Sequence, residues 1–192
     1  MEMSKTTKTF IYISIVMGVL ILISKKVFSS NNTLVNGKNL VIGDSHGVMI
    51  GSKVKNAIVD NRVAKSGWTV SNLINALSTY PVSNDVAKVF ISIGTNNQYS
   101  KNDKIETLVK AIQEKFPKAN LYIFKGSYGW SGRYGNPNAD KDQTPYYKRF
   151  ENAGVNILNN GLGYFATDAQ AHSTSSSQAK AIINEINSYT NR

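Results

Sequence analysis

Short apolar runs alternate with amphipathic stretches along most of the chain. The apolar runs are bounded by polar residues, glycine or proline and predict five β-strands, over residues 39–42, 57–63, 86–93, 121–124 and 155–158. The stretches between and after them place apolar residues at helical spacing and predict helices over 69–80, 103–116, 145–153 and 175–189. Asp103 is expected to cap the second of these helices, and Gly154 to follow the third. Apolar strands separated by amphipathic helices are typical of a parallel sheet covered on both faces, so we expect a three-layer α/β/α domain.

The first 28 residues differ from the rest of the chain. Residues 10–24 carry no charge and have two lysines on each side. A helix of that length spans about 22 Å, which is short of the roughly 30 Å hydrocarbon core of a bilayer. Extension over residues 10–27, with Lys25 and Lys26 reaching the interface, makes a span possible. We interpret residues 1–28 as an N-terminal membrane anchor containing a transmembrane helix.

Two other interpretations of this segment stay open at the level of the sequence. A cleaved signal peptide fits the basic start and the apolar centre, and a buried core helix fits the apolar centre alone. Lys25 and Lys26 occupy the place where a small-residue cleavage site is expected, which favours an uncleaved signal-anchor. The anchor predicts a single-pass membrane protein that binds a lipid bilayer through residues 10–27, its larger domain extracytoplasmic or on a virion membrane.

Residues 29–38 are polar and Asn-rich and predict a tether, so the domain is expected over residues 39–192.

Composition excludes several classes of function for the chain. The chain has no Cys and only two His, which excludes disulfides, thiolate metal sites and a three-histidine zinc site. The net charge is +10, but 18 of the 22 basic residues are lysine, whereas arginine is preferred for forked phosphate and base contacts. We expect no nucleic-acid partner and no metal.

Unusual polar residues lie where the predicted strands end. Ser45 follows the first strand at a tight turn, and His172 precedes the last helix. Ligands of parallel α/β sheets bind at this edge. A serine at such a turn with a distant histidine indicates nucleophilic acyl transfer, because a serine hydroxyl needs a base and donors for the oxyanion. The simpler alternative for Ser45 is that it caps the helix after the turn. Asp44 is expected to hold the turn. His46 is expected to line the mouth of the pocket.

Four short blocks resemble the motifs of the SGNH (GDSL-type) hydrolase family, and they occur in that family's order. The blocks are Gly43-Asp44-Ser45, Ser66-Gly67-Trp68-Thr69, Gly94-Thr95-Asn96-Asn97 and Asp168-Ala169-Gln170-Ala171-His172. The resemblance extends from about Val41 to the C-terminus. It implies a flavodoxin-like three-layer fold with a central parallel sheet, and the activity of a serine esterase.

The resemblance also implies a role for each matching residue. Ser45 is the expected nucleophile, His172 the expected base, and Asp168 the group that orients His172. The backbone N–H groups of Ser45 and Gly67 and the side-chain amide of Asn96 are the expected oxyanion hole. These groups suffice for the chemistry, so the resemblance implies no metal and no organic cofactor.

The chain departs from the family pattern at two places. Asn97 stands where the family usually has Asp in the third block. Asp168 and His172 are four positions apart instead of the family's usual three. The added residue could move the carboxylate away from the imidazole, which leaves a Ser–His dyad or an inactive site as alternatives.

A glycine-rich stretch over residues 126–145 is expected to overhang the same edge of the sheet. It contains Tyr128, Trp130 and Tyr134, whose rings could stack on sugars and are candidate substrate-binding residues. The sequence therefore predicts a membrane-anchored serine esterase acting on small acyl esters, for example acetyl groups on envelope carbohydrate or peptidoglycan. The alternatives are a non-catalytic SGNH-like glycan-binding module and a structural membrane protein of an envelope or virion.

Overall fold

The chain divides into Met1–Val35 and Asn36–Arg192. A computed structural model describes residues 37–126, 139–161 and 172–191, without the side chains of 139–142. Within these ranges, no helix is both long enough and apolar enough to cross a bilayer. The predicted anchor over residues 1–28 lies outside the described residues and stays a prediction.

Five parallel strands form the central sheet in the order β2-β1-β3-β4-β5. They are β1 (Lys38–Gly43), β2 (Ala57–Ala64), β3 (Val86–Ser92), β4 (Asn120–Lys125) and β5 (Asn156–Gly161). All five predicted strands are confirmed. The strand order reverses between β1 and β3, which pair from Leu40 opposite Val89 to Gly43 opposite Ser92. A ligand crevice is expected outside the carboxyl ends of the strands at such a reversal.

Helices connect the strands and cover both faces of the sheet. They are α1 (Ser45–Gly51), α2 (Val70–Thr79), α3 (Ile105–Lys115), α4 (Ala139–Asn152) and α5 (Ser177–Thr190), with a 3₁₀ turn over Thr95–Asn97. Side chains along a strand alternate between the two faces. In β1, Leu40 and Ile42 join one core with α2, α3 and α4, whereas Val41 joins the other with α1 and α5. The predicted three-layer α/β/α architecture is confirmed.

Helix α4 begins earlier than the sequence indicates. It starts at Ala139, and Pro145 lies inside it. Residues 139–144 are mostly polar, so they offer no apolar spacing that would predict a helix. The end of α4 is as expected, because Gly154 follows it with a φ of +87°, and its N–H donates to the carbonyl of Glu151.

The predicted cap of α3 is wrong. The residue at the N-cap position is Lys104, whose side chain forms no capping hydrogen bond. The carboxylate of Asp103 accepts a hydrogen bond from the side chain of Asn97 instead. The side chain of Asp103 therefore makes a contact with another loop instead of the capping hydrogen bond that its sequence position predicts.

Asp60 on the edge strand β2 links this strand to the end of α2. Its Oδ2 lies 2.6 Å from Nη2 of Arg62 and accepts a hydrogen bond of 2.9 Å from the hydroxyl of Tyr80. The hydrogen bond from Arg62 is the main cause that lowers the pKa of Asp60 from 3.8 to about 2. The charged carboxylate therefore stabilises the folded state above the unfolded pKa.

We expect Asp60→Asn to lower the free energy of unfolding at pH 7. The contribution of a lowered carboxyl pKa is complete above the unfolded value and is lost as the pH falls through the folded value. The difference from wild type should therefore shrink between pH 4 and pH 2, as measured by urea unfolding. Glu114→Gln is the matched control, because Glu114 is exposed and its nearest cation lies 3.9 Å away. A difference that is constant with pH would contradict the assignment.

Candidate active site

The turn between β1 and α1 presents Ser45 at the carboxyl edge of the sheet. Asp44 is the N-cap of α1, and its Oδ1 accepts hydrogen bonds from the N–H of His46 at 3.0 Å and the hydroxyl of Ser92 at 3.1 Å. The predicted role of Asp44 in holding the turn is confirmed. The alternative in which Ser45 caps the helix is wrong, because Asp44 occupies that position and Ser45 is the first helical residue.

His172 is brought next to Ser45 by the fold. Its Nε2 lies 2.9 Å from Oγ of Ser45, although the two residues are 127 positions apart in the sequence. That separation is within hydrogen-bond distance, so the imidazole can accept the hydroxyl proton. Ser45 is only 7% exposed, and His172 is half-buried. The structure therefore places a serine hydroxyl and an imidazole within hydrogen-bond distance of each other.

The loops that carry Gly67 and Asn96 meet the same end of β1. The N–H of Lys65 donates to the carbonyl of Gly43 at 2.9 Å, which ties the turn before α2 to the end of β1. The side-chain amide of Asn96 donates to the carbonyl of Trp68 at 3.0 Å, which joins the loop after β3 to that turn. Gly67 is exposed and has a φ of +81°. The expected oxyanion donors thus lie on loops that are bonded to one another beside Ser45, and their role stays a prediction.

His46 lies beneath the site, and its expected position at the pocket mouth is wrong. The side chain is completely buried. Its Nδ1 lies 3.4 Å from Oγ1 of Thr95 and 3.7 Å from Oδ1 of Asp44. Its ring is parallel to that of His172, with centroids 5.3 Å apart and an interplanar angle of 4°. The first turn of α1 directs this ring under His172, a placement that adjacency to Ser45 in the sequence does not reveal.

A buried polar cluster below His46 escaped the sequence reasoning. The hydroxyls of Thr95 and Tyr99 are 2.9 Å apart, and the N–H of Gly126 donates to the hydroxyl of Tyr147 at 3.0 Å. Burial raises the pKa of both tyrosines, so they stay protonated. In the sequence, Tyr147 is marked only by its position in a predicted helix. That position predicts packing in the core and does not indicate a contact near Ser45 and His172.

Asn97 has a buried partner to which an aspartate could not donate a hydrogen bond at neutral pH. Its side-chain Nδ2 donates to Oδ1 of Asp103. Asp103 is 7% exposed, and burial raises the pKa of its carboxyl group. An aspartate at position 97 would bring a second anion against this buried carboxylate.

We expect Asn97→Asp to lower the free energy of unfolding at pH 7 by about 1–3 kcal/mol, because a donor is replaced by a like charge. The loss should shrink as the pH falls from 7 to 4, because the raised pKa of Asp103 lets one of the two carboxyl groups take up a proton above the ordinary carboxyl value. Urea unfolding at both pH values measures this. Asn75→Asp on the exposed face of α2 is the control and should change stability little. Equal losses in the two variants at pH 7 would show that the contact with Asp103 is not the cause.

The remaining predicted site residues lie outside the described residues. They are Asp168, Tyr128, Trp130 and Tyr134. The orientation of His172 by Asp168 and the stacking role of the aromatic residues therefore stay predictions. Within the described ranges, no group of three or more His, Asp or Glu side chains could hold a metal ion.

Comparisons with known proteins give only distant likenesses. No family model and no curated protein matches the chain. A structure provisionally described as a platelet activating factor from Streptococcus pneumonia is 14% identical, with a TM-score of 0.48 over 94% of this chain and 98% of that chain. An extracellular lipase from Streptomyces rimosus is also 14% identical, with a TM-score of 0.48 over 79% of this chain and 99% of that chain. Likeness at this level leaves the reaction to be argued from the residues.

Proposed function

We propose that the chain is a serine hydrolase of small acyl esters, with Ser45 as nucleophile and His172 as base. The observation that supports this most directly is the 2.9 Å separation of Ser45 Oγ and His172 Nε2. The pair lies at the carboxyl edge of the sheet, where β1 and β3 diverge into connections on opposite faces. A hydroxyl alone is a poor nucleophile at neutral pH, and an adjacent imidazole is the group that activates it.

The reaction follows from this pair in two halves. In the first, Oγ of Ser45 attacks the ester carbonyl carbon while Nε2 of His172 takes the hydroxyl proton. The tetrahedral intermediate collapses to an acyl-serine, and His172 returns the proton to the leaving alcohol. In the second half, His172 takes a proton from water, whose oxygen attacks the acyl-serine. The acid departs, and the proton returns to Oγ.

The oxyanion hole in this proposal consists of Ser45 N–H, Gly67 N–H and the Asn96 amide. The N–H of Ser45 belongs to the first turn of α1, where backbone donors have no partner within the helix. The loops of Gly67 and Asn96 are joined by the hydrogen bond from the Asn96 amide to the carbonyl of Trp68, the residue after Gly67. Donors fixed before the reaction stabilise the developing oxyanion without reorganisation.

The reaction needs only an ester carbonyl within reach of Ser45 Oγ, so the proposal is stated for small acyl esters. Acetyl esters are the proposed substrate class. The predicted anchor over residues 10–27 and the aromatic residues Tyr128, Trp130 and Tyr134 favour an ester on envelope carbohydrate or peptidoglycan.

The proposal is tested on the full-length chain purified in detergent. A fluorophosphonate probe should form an adduct that mass spectrometry locates on Ser45, and the adduct should be lost in His172→Ala. Turnover of 4-nitrophenyl esters should fall from acetate to octanoate. A folded chain that forms no adduct would overturn the enzyme and favour the non-catalytic glycan-binding module, for which the spacing of Asp168 and His172 is the supporting feature.

A further inference from the structure

We propose that His46 is a positioning residue that holds the ring of His172 in the orientation in which Nε2 faces Ser45. The effect of His46 on the reaction rests on the proposed function, whereas the orientation of the His172 ring by His46 does not. The two rings are parallel to within 4°, with centroids 5.3 Å apart. A flat ring against one face of His172 restricts rotation of that imidazole about its side-chain bonds.

The ring of His46 is itself fixed from several sides. Its side chain has no exposed surface, and the backbone N–H of the same residue donates to the capping carboxylate of Asp44. Its Nδ1 lies 3.4 Å from Oγ1 of Thr95, and that hydroxyl lies 2.9 Å from the hydroxyl of Tyr99. The backbone of Gly126 approaches so closely that a Cβ there would lie 2.6 Å from Oγ1 of Thr95. A support held in this way can transmit its position to the ring above it.

Adjacency in the sequence makes His46 suited to this task. Ser45 and His46 are consecutive residues in the first turn of α1, so the same helical turn carries the proposed nucleophile and its support. His172 comes from the segment between β5 and α5, far away in the chain. Contact with His46 aligns the base to the same turn that carries the nucleophile.

Two substitutions at position 46 separate the ring face from the polar atoms of the imidazole. Nε2 of His46 has no hydrogen-bond partner among the described residues. A phenylalanine at this position would keep the ring face and lose the contact of Nδ1 with Thr95, whereas a leucine would remove the ring as well.

The test uses the fact that the chain has only two histidines. In full-length protein labelled with ¹⁵N-histidine, we expect nuclear Overhauser contacts between the two rings. His46→Phe and His46→Leu each leave a single ring signal, that of His172. In wild type and His46→Phe this signal should change on Ser45→Ala, because the hydrogen bond to Oγ is lost. In His46→Leu it should respond much less, because the ring is no longer held toward Ser45.

Labelling kinetics then connect the geometry with the reaction. We expect the rate constant for fluorophosphonate labelling to fall about 10- to 100-fold in His46→Leu and to stay within about threefold of wild type in His46→Phe, as for a misplaced catalytic group. Equal rates in the leucine variant and wild type would overturn the reaction part of the proposal.

The NMR outcomes separate this proposal from the proposed function. Ring contacts and a Ser45-dependent His172 signal in a chain that the probe does not label would disprove the hydrolase while supporting the positioning role. A His172 signal in His46→Leu that keeps its full dependence on Ser45 would overturn the positioning role, whatever the activity. If the leucine variant does not fold, the wild-type spectrum decides, because the absence of ring-to-ring contacts contradicts the stack.

Discussion

Ser45→Ala should reduce ester hydrolysis by on the order of 10⁴-fold or more, and it should abolish fluorophosphonate labelling. The variant keeps His172 and the expected oxyanion donors but has no oxygen to form the acyl intermediate. Residual activity would then reflect only water attacking an ester bound near those donors. The loss should appear in the maximal rate, because alanine leaves the remaining substrate contacts in place.

The fold of this variant should be unaffected. The cap of α1 is Asp44, so Ser45 makes no capping hydrogen bond that alanine would remove. The described partner of its hydroxyl is His172. We therefore expect the free energy of unfolding to change by less than about 1 kcal/mol.

Ser78→Ala is the matched control for this experiment. Ser78 is exposed on α2, and its hydroxyl donates to the carbonyl of Asn75. The control variant should be labelled and should hydrolyse esters as wild type does. Labelling that persists in Ser45→Ala would mean that another residue is the nucleophile, and the assignment of Ser45 would be wrong.

The strands of the sheet could be predicted because each buried strand is a short apolar run in the sequence. Leu40, Val41 and Ile42 form a continuous apolar run, as expected for a strand covered on both faces, and their side chains enter the two cores in alternation. Gly43 and Asp44 end that run and mark the turn. Apolar runs and the turns that end them involve residues close together in the sequence, so the spacing of apolar and polar residues is enough to predict them.

Contacts between distant segments were less accessible to sequence reasoning. The pairing of Ser45 with His172 rested on their places at the predicted strand ends and on the family resemblance, because no local pattern connects residues 127 positions apart. The stacking of His46 under His172 and the bond from Asn97 to Asp103 were missed for the same reason. Both contacts depend on how the loops at one edge of the sheet meet. The sequence predicted His46 at the mouth of the pocket and Asp103 as a helix cap, and tertiary packing places both side chains elsewhere.

Gly43→Ala should cause the largest loss of stability among single substitutions near the site. Gly43 has a φ of +126°, and a Cβ there would lie 1.7 Å from the carbonyl oxygen of Ser92. That carbonyl accepts the N–H of Asp44 at 2.8 Å, so it cannot move without breaking the bond that closes the turn. The end of β1 would have to separate from β3. We expect the free energy of unfolding to fall by more than about 4 kcal/mol, or the chain not to fold.

Gly154→Ala separates the steric clash from the backbone preference. Gly154 also has a positive φ, +87°, but a Cβ there would have no atom within 4 Å. Its replacement should lower the free energy of unfolding by only about 1–2 kcal/mol, the usual penalty of a left-handed conformation for a residue with a Cβ. Urea unfolding of both variants measures the two losses in the free energy of unfolding. The larger loss in Gly43→Ala is expected because β1 and β3 approach each other closely at Gly43. Equal losses in the two variants would show that these strands are not in contact at Gly43 and Ser92, and the position of Ser45 at this edge would have to be revised.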